Sequence, residues 1–105
     1  MISKTEITRD WLPRYTGTQI EEFGKYILLT NFSNYVIKFA ERFGCKIKGK
    51  GSPMQTATND NSLSIINFGM GSANAATIMD LLTACNPKGV LFLLYGKFAM
   101  LKHSF

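Results

Sequence analysis

A glycine-rich turn follows one apolar run of this sequence and precedes an alanine-rich helical pattern. The turn is Gly69-Met70-Gly71-Ser72, between a strand predicted over 62–68 and a helix predicted over Ala73–Cys85. Glycines permit close backbone approach, and a helix N-terminus presents free N–H groups that attract anions. Asn74 stands where a dinucleotide fingerprint needs its third glycine, and no Gly-Lys-Ser/Thr follows, so the Rossmann and P-loop patterns both fail. A ligand-facing turn and a tight structural turn, with Ser72 capping the helix, both remain open.

A second strand-to-helix turn lies at Thr30-Asn31-Phe32-Ser33-Asn34, where the apolar run 25–32 passes into an amphipathic pattern. Its small polar side chains suit a sugar or phosphate oxygen. Ligands of open α/β sheets gather at the carboxyl ends of strands, which favours a binding role. Capping of the following helix by Asn31 or Ser33 explains the same residues equally well.

Candidates for acid–base chemistry are few. His103 is the only histidine and lies three residues from the end, Asp80 falls on the exposed face of a predicted helix, and Asp60 lies in a loop. Glu21 and Glu22 are adjacent in sequence, so they cannot face each other on a regular element. No cluster has metal-ligand spacing. We therefore assign no catalytic residue and predict no metal.

The composition is that of a globular chain of 105 residues, 46% hydrophobic and 18% charged, with a net charge of +5. Basic residues concentrate between Lys25 and Lys50, where only Glu41 opposes them. This cluster is either a site for an anionic ligand or a solvated rim. Aromatic and basic residues do not interleave as they do in base-stacking surfaces, so we expect no nucleic acid partner.

The remaining signals concern the compartment. Cys45 and Cys85 stand in apolar contexts without C-x-x-C spacing, which favours reduced, buried thiols. No stretch approaches the length of a membrane span, and residues 1–15 show no apolar core of a secretory signal. We expect a cytoplasmic protein without membrane association.

The predicted elements alternate in type. The strands are 25–32, 45–51, 62–68 and 89–95, with helices over about 32–43 and Ala73–Cys85 and a loop over 51–61. Gly44 and Asn86-Pro87 end the two helices. The order β-α-β-β-α-β predicts an α/β fold with a mostly parallel or mixed sheet and helical crossovers. The run 89–95, near the chain end, is expected to present an unpaired apolar edge that favours self-association.

Three stretches in this order resemble the AMP nucleosidase family of the nucleoside phosphorylase superfamily: "LPRYTG" (12–17), "EEFGKYILLTNFSNYV" (21–36) and "NFGMGSANAATIMDLL" (67–82). The resemblance covers about residues 10–93. It implies part of a nucleoside phosphorylase-like fold and hydrolysis of the N-glycosidic bond of AMP to adenine and ribose 5-phosphate. It also implies a homo-oligomer without metal or organic cofactor, and AMP or a related purine nucleotide as ligand.

The resemblance also implies where substrate binds. Thr30, Asn31 and Asn34 lie in a phosphate- or ribose-facing loop where phosphorylases carry glycine and arginine, and this departure speaks against free phosphate as a nucleophile. The Gly69-Met70-Gly71 turn shapes the floor of the nucleotide pocket. Arg14 is positioned to meet a phosphate, its own or a neighbour's.

The end of the chain departs from the family pattern. Gly96 and Lys97 correspond to a Gly-Lys pair, but Phe98-Ala99-Met100 replaces Cys-Gly-Gly after an apparent two-residue insertion. We expect a single partial domain, with a lead-in segment over 1–24, an α/β core over 25–95 and a divergent tail over 96–105. The purine pocket and the acid that protonates the leaving base are expected to be missing. The predicted function is thus a truncated AMP nucleosidase with weak or no activity, and the alternative is a self-assembling, non-enzymatic nucleotide- or phosphate-binding module.

Overall fold

A computed structural model describes residues 3–59, 62–94 and 97–101. The N-terminal part is helical, with α1 (Lys4–Glu6), a π-helical segment (Ile7–Trp11), α2 (Leu12–Thr16) and a 3-10 turn (Ile20–Glu22). The rest alternates strands and helices: β1 (Tyr26–Thr30), α3 (Ser33–Phe43), β2 (Lys46–Lys48), β3 (Thr56–Thr58), β4 (Leu63–Asn67), α4 (Ser72–Cys85), β5 (Gly89–Leu94) and β6 (Lys97–Leu101).

The strands form one six-stranded mixed sheet in the order β2-β3-β4-β1-β5-β6. The central strands β4, β1 and β5 are parallel, whereas β2, β3 and β6 extend the sheet through antiparallel pairs. Helix α3 lies in the connection from β1 towards the β2–β4 side, and α4 connects β4 to β5. The predicted α/β class with a mixed sheet and helical crossovers is confirmed.

Apolar side chains cover both faces of the central strands, which explains their near-continuous apolar sequences. On one face Ile27, Leu29 and Ile66 pack with α4 and with the N-terminal helical residues. On the other face Leu28 and Ile65 pack with Val36 and Ala40 of α3. The helices end where the sequence predicts, because Gly44 (φ 67°) and Asn86 (φ 46°) take left-handed conformations.

The loop predicted over 51–61 is wrong at its centre, since Thr56–Thr58 forms β3. This three-residue strand pairs with β4 on one side and with β2 on the other. Its side chains are all buried. A segment this short shows no convincing alternation in sequence, and its conformation depends on the ladder hydrogen bonds that two distant segments supply.

The exposed edge predicted for 89–95 is also wrong. Strand β5 lies inside the sheet, paired with β1 on one side and with β6 on the other. The antiparallel partner β6 comes from the segment predicted as a divergent tail. An unpaired β5 edge is therefore not a reason for self-association.

The N-terminal segment contributes more than a polar lead-in, because Ile7 and Leu12 are buried in the core against α4. These residues are five positions apart, and the π-helical segment between them brings them to the same side. Thr16 continues the buried side, with its hydroxyl donating to Leu12 O at 2.6 Å. A helical pattern with a 3.6-residue period does not place residues five positions apart on one face, so the sequence did not predict these helical turns.

No helix among the described residues has the length and apolarity that crossing a bilayer requires.

Candidate functional site

Parallel pairing of β1 and β4 brings the two predicted turns together. Thr30 and Asn67 are partners at the carboxyl ends of these strands. Phe68 N–H then donates to Thr30 O at 3.0 Å, which extends the pairing by one step. Asn31 and the turn Gly69–Gly71 consequently leave the sheet side by side.

The glycine turn needs its glycines, because Gly69 (φ 76°) and Gly71 (φ 99°) take positive φ values that other residues adopt only with strain. Two asparagines hold the turn. Asn67 Oδ1 accepts a hydrogen bond from Gly69 N–H at 3.0 Å, and Asn74 Nδ2 donates to Met70 O at 2.9 Å. Asn74 stands where a dinucleotide fingerprint would have its third glycine. From the start of α4 it stabilises the glycine turn through this hydrogen bond.

Ser72 is not the N-cap of α4, the position that the structural interpretation of the turn gave it. The helix already begins at Ser72, and Gly71 occupies the N-cap without a side-chain hydrogen bond to the first helical N–H groups. A positive φ at the cap and the position of Ser72 inside the helix explain the difference. The N-cap residue Gly71 therefore offers no side chain to the N-terminal N–H groups or to the positive end of the helix dipole.

Asn31 does not cap α3, which removes one of the two explanations for its presence. The N-cap of α3 is Phe32, without any side-chain capping bond, so neither Asn31 nor Ser33 has that role. Asn31 Nδ2 instead lies 3.4 Å from Met70 Sδ, across to the glycine turn. Its Oδ1 atom is buried and has no hydrogen-bond partner among the described residues. A buried acceptor without a partner is costly, and a ligand can satisfy it.

A cavity of about 310 Å³ lies between these turns. Its lining combines the turns with apolar side chains of β5 and α4: Asn31, Phe68, Gly69, Met70, Gly71, Ala75, Ile78, Met79 and Phe92. Phe68 and Phe92 meet edge-to-face with ring centroids 6.2 Å apart. Asn31 supplies the polar side chain of this lining, and no described lining residue is ionisable. The cavity offers an apolar wall, one amide group and backbone N–H groups.

Four predicted residues line this cavity: Asn31, Gly69, Met70 and Gly71. Met70 is 59% exposed at its mouth. Thr30 lies behind the lining and is fully buried, with its Oγ1 3.4 Å from the Phe32 N–H. Asn34 is exposed in the first turn of α3 and does not line the cavity.

Arg14 lies elsewhere, with its guanidinium 5.8 Å from the centre of the Trp11 ring. Trp11 stacks on Tyr15 at 5.8 Å, and both line a separate cavity of about 220 Å³ beside Asp80. Asp80 is in the second half of α4 and exposed, as predicted. The structure therefore does not bring Arg14 to the glycine turn of its own chain.

The backbone of Lys97 lies at the same edge of the sheet as the glycine turn. Its backbone pairs with Leu94, while Leu93 pairs with Thr30, so the start of β6 lies at the carboxyl ends of the parallel strands. Gly96, Asp60 and His103 lie outside the described residues.

Five lining residues were not predicted: Phe68, Ala75, Ile78, Met79 and Phe92. On α4 they follow the i, i+3, i+4 spacing of any core-facing helix stripe. Nothing in the sequence separates an apolar residue that lines a cavity from one that packs in the core.

The shifted pKa values of three titratable groups away from the cavity follow from local hydrogen bonding, ion pairing and burial. The Gln19 N–H and then Lys48 bond to the Glu22 carboxylate, each at 3.1 Å, and these contacts lower the pKa of Glu22. Cys45 and Cys85 are free thiols, and burial raises the pKa of both, that of Cys85 to about 12. Among the residues the structure describes, no three His, Cys, Asp or Glu side chains gather in a way that could hold a metal ion.

The mixed sheet, with its glycine turn at the carboxyl ends of parallel strands, is the α/β architecture that the resemblance to the nucleoside phosphorylase superfamily implies. No family model matches the chain, and no curated protein matches it. Among solved structures, the chain is similar to the crystal structure of AMP nucleosidase from Bacteroides thetaiotaomicron VPI-5482, with a TM-score of 0.78 and 55% sequence identity. The match covers 88% of this chain and 40% of that chain. The predicted resemblance to AMP nucleosidase is confirmed, and the chain spans less than half the length of this similar protein.

Proposed function

We propose that this chain binds AMP in the cavity between Asn31 and the Gly69–Gly71 turn. The observation that carries the proposal is the buried Asn31 Oδ1, which faces no partner among the described residues in a cavity at the glycine turn. The 55% identity to an AMP nucleosidase supports a purine nucleotide as the ligand.

The cavity matches the chemistry of such a ligand. Backbone N–H groups at the start of α4 suit oxygen atoms of the phosphate or ribose, because the helix dipole favours negative charge there. The apolar wall of Phe68, Phe92 and Met79 suits the carbon face of the sugar or base. Asn31 Oδ1 accepts a hydrogen bond from a ligand hydroxyl or amino group. From the resemblance alone, we also assign Gly96 and Lys97 to the proposed site.

We further propose that hydrolysis by the 105-residue chain is weak or absent. Breaking the N-glycosidic bond of AMP requires an acid near the departing purine and stabilisation of an oxocarbenium-like ribose. The described residues that line the cavity include no ionisable side chain. The binding part of an AMP nucleosidase is therefore better supported than its chemical step.

The alternative is a self-assembling, non-enzymatic nucleotide- or phosphate-binding module. It shares the binding prediction and differs in that no adenine is released. The homo-oligomer rests on the resemblance alone, and sedimentation velocity measures it. Arg14 does not line the cavity of its own chain. A contact between Arg14 and the phosphate of a nucleotide bound by a neighbouring chain therefore requires such an oligomer.

Calorimetry with AMP, together with chromatographic detection of adenine, tests the proposal. Asn31→Leu removes the amide at similar volume, and we expect it to weaken AMP binding by about tenfold or more while leaving stability equal or higher. Asn34→Leu is the matched control, because it changes the same residue type in an exposed position outside the lining. Circular dichroism confirms folding of each variant.

Two outcomes contradict the proposal. Unchanged AMP affinity in Asn31→Leu removes Asn31 from the site, and a folded wild-type chain that does not bind AMP removes the site altogether. Clear adenine release above a no-protein control would show that the chain supplies the required acid. The proposal that hydrolysis is weak or absent would then be wrong.

A further inference from the structure

An apolar groove of about 480 Å³ lies on the α3 face of the sheet, at the opposite end of the strands from the glycine turn. Its base is formed by Leu28, Leu63 and Leu91, and its walls include Phe39 and Phe43 of α3. Tyr26 and Gly89, paired residues at the start of β1 and β5, close this end.

The groove exposes aromatic side chains that a closed α/β layer would bury. Tyr26 is 52% exposed and Phe43 is 47% exposed, although both contribute to its lining. Helix α3 packs over β1 to β4, and the groove opens beside it towards β5. Phe39 and Phe43 stack with centroids 5.9 Å apart and form an i, i+4 ridge along this side of α3. A ridge beside a sheet face is the surface against which a second helix packs.

Among the residues that the structure describes, the charged side chains beside the groove are basic. Lys88 lines it, and Lys88 N–H donates to Lys25 O at 2.7 Å, so two exposed lysines meet at its end. On α3, at about 100° per residue, the exposed Arg42 lies about 60° from Phe39. Glu41 lies about 160° from Phe39 by the same geometry. No acidic side chain is among the described residues that line the groove.

These observations identify the occupant by its chemistry. We infer that the groove is the docking surface for an amphipathic helix from another polypeptide, with an apolar face and acidic flanks. A second copy of this chain carries a net charge of +5 and would bring like charge against the same cations. The inference does not depend on nucleotide binding, since the two cavities share no lining residue.

Two fluorescent peptides of about five helical turns test this inference with the 105-residue chain. The acidic probe carries Leu and Phe at i, i+3, i+4 and i+7 with Glu on both flanks, and the basic probe has Lys in place of each Glu. By fluorescence anisotropy we expect the acidic probe to bind at least about tenfold more tightly than the basic one. The difference should shrink at high salt because exposed charges are screened.

Two substitutions on α3 form a matched pair. Phe43→Glu places a carboxylate in the groove wall and is expected to abolish binding of the acidic probe. Ile37→Glu changes a residue of nearly equal exposure, 46% against 47% for Phe43, that lies about 160° from Phe39, and it is expected to leave binding unchanged. If Phe43→Glu unfolds, the double variant Lys88→Glu/Arg42→Glu serves instead, and it should prefer the basic probe.

Three outcomes overturn the inference. Equal affinity for both probes indicates non-specific apolar adsorption, and no binding of either probe by the folded chain shows that the groove is not a helix site. A self-associated chain that Phe43→Glu converts to monomers in sedimentation velocity assigns the groove to a second copy.

Discussion

Replacing Gly71 by Ala tests whether the glycine turn has a binding role beyond its structure. Gly71 combines φ 99° with ψ 156°, a conformation that is essentially restricted to glycine. A Cβ atom added there meets no atom within 4 Å. The substitution therefore introduces backbone strain without a steric clash.

The strain sets the expected loss of stability. Holding a non-glycine residue in such a conformation costs about 1–3 kcal/mol. At about 2.1 cal/mol/K per residue, the unfolding entropy of a chain of this length is about 0.22 kcal/mol/K. Dividing the two gives a decrease in Tm of about 5–14 °C. If the turn instead relaxes, Gly71 and the start of α4 change direction at the edge of the cavity that Gly71 lines.

The assay compares Gly71→Ala with Gly51→Ala. Gly51 also has a positive φ (86°) and open space around an added Cβ, but it does not line the cavity. We expect both variants to lose stability in urea denaturation, whereas only Gly71→Ala loses AMP affinity, by about tenfold or more in calorimetry.

The reasoning is refuted by a folded Gly71→Ala chain that binds AMP as the wild type does. The Gly69–Gly71 turn is then a structural connection between β4 and α4. An equal loss of affinity in Gly51→Ala would also refute it, because the effect would then follow from general destabilisation.

Two further predictions concern the core. Leu12→Ala should lower the free energy of unfolding by about 2–5 kcal/mol in urea denaturation, since Leu12 is fully buried against α4; a loss below about 1 kcal/mol would contradict this packing. At pH 8 a thiol-specific disulfide reagent should label Cys45 faster than Cys85, because both thiols are partly exposed but burial raises the pKa of Cys85 to about 12. The stability that depends on the protonated Cys85 thiol is fully present below about pH 9 and is lost as pH rises towards 12; rapid labelling of both thiols in the native chain would contradict this burial.

Local sequence was sufficient for the longer elements. The apolar stripe of α3 and the runs that became β1, β4 and β5 have the periodicity or continuity that a buried face requires, and Gly44 and Asn86 mark the helix ends. Local sequence did not predict strand β3, because that strand depends on pairing partners on both sides. It also did not predict the helical segment Ile7–Trp11, because a pattern with a 3.6-residue period does not match π-helical spacing.

The candidate site was predicted in parts. Asn31 and the Gly69–Gly71 turn were identified separately, each with a structural alternative that the sequence left open. Only the N-cap at Phe32 and the buried Oδ1 atom distinguish Asn31 from a capping residue. The separation of Arg14 from the cavity likewise depends on how α2 packs, which no motif encodes.

The sequence by itself determined the α/β class, the positions of the principal strands and helices, and the resemblance to AMP nucleosidase, because periodicity, helix-ending residues and motif order are local properties of the chain. The strand order β2-β3-β4-β1-β5-β6, the meeting of the two turns and the apolar groove beside α3 were decided only by the tertiary structure. These features arise from pairing and packing between residues far apart in sequence, where many arrangements satisfy the same local preferences and burial of both sheet faces selects among them.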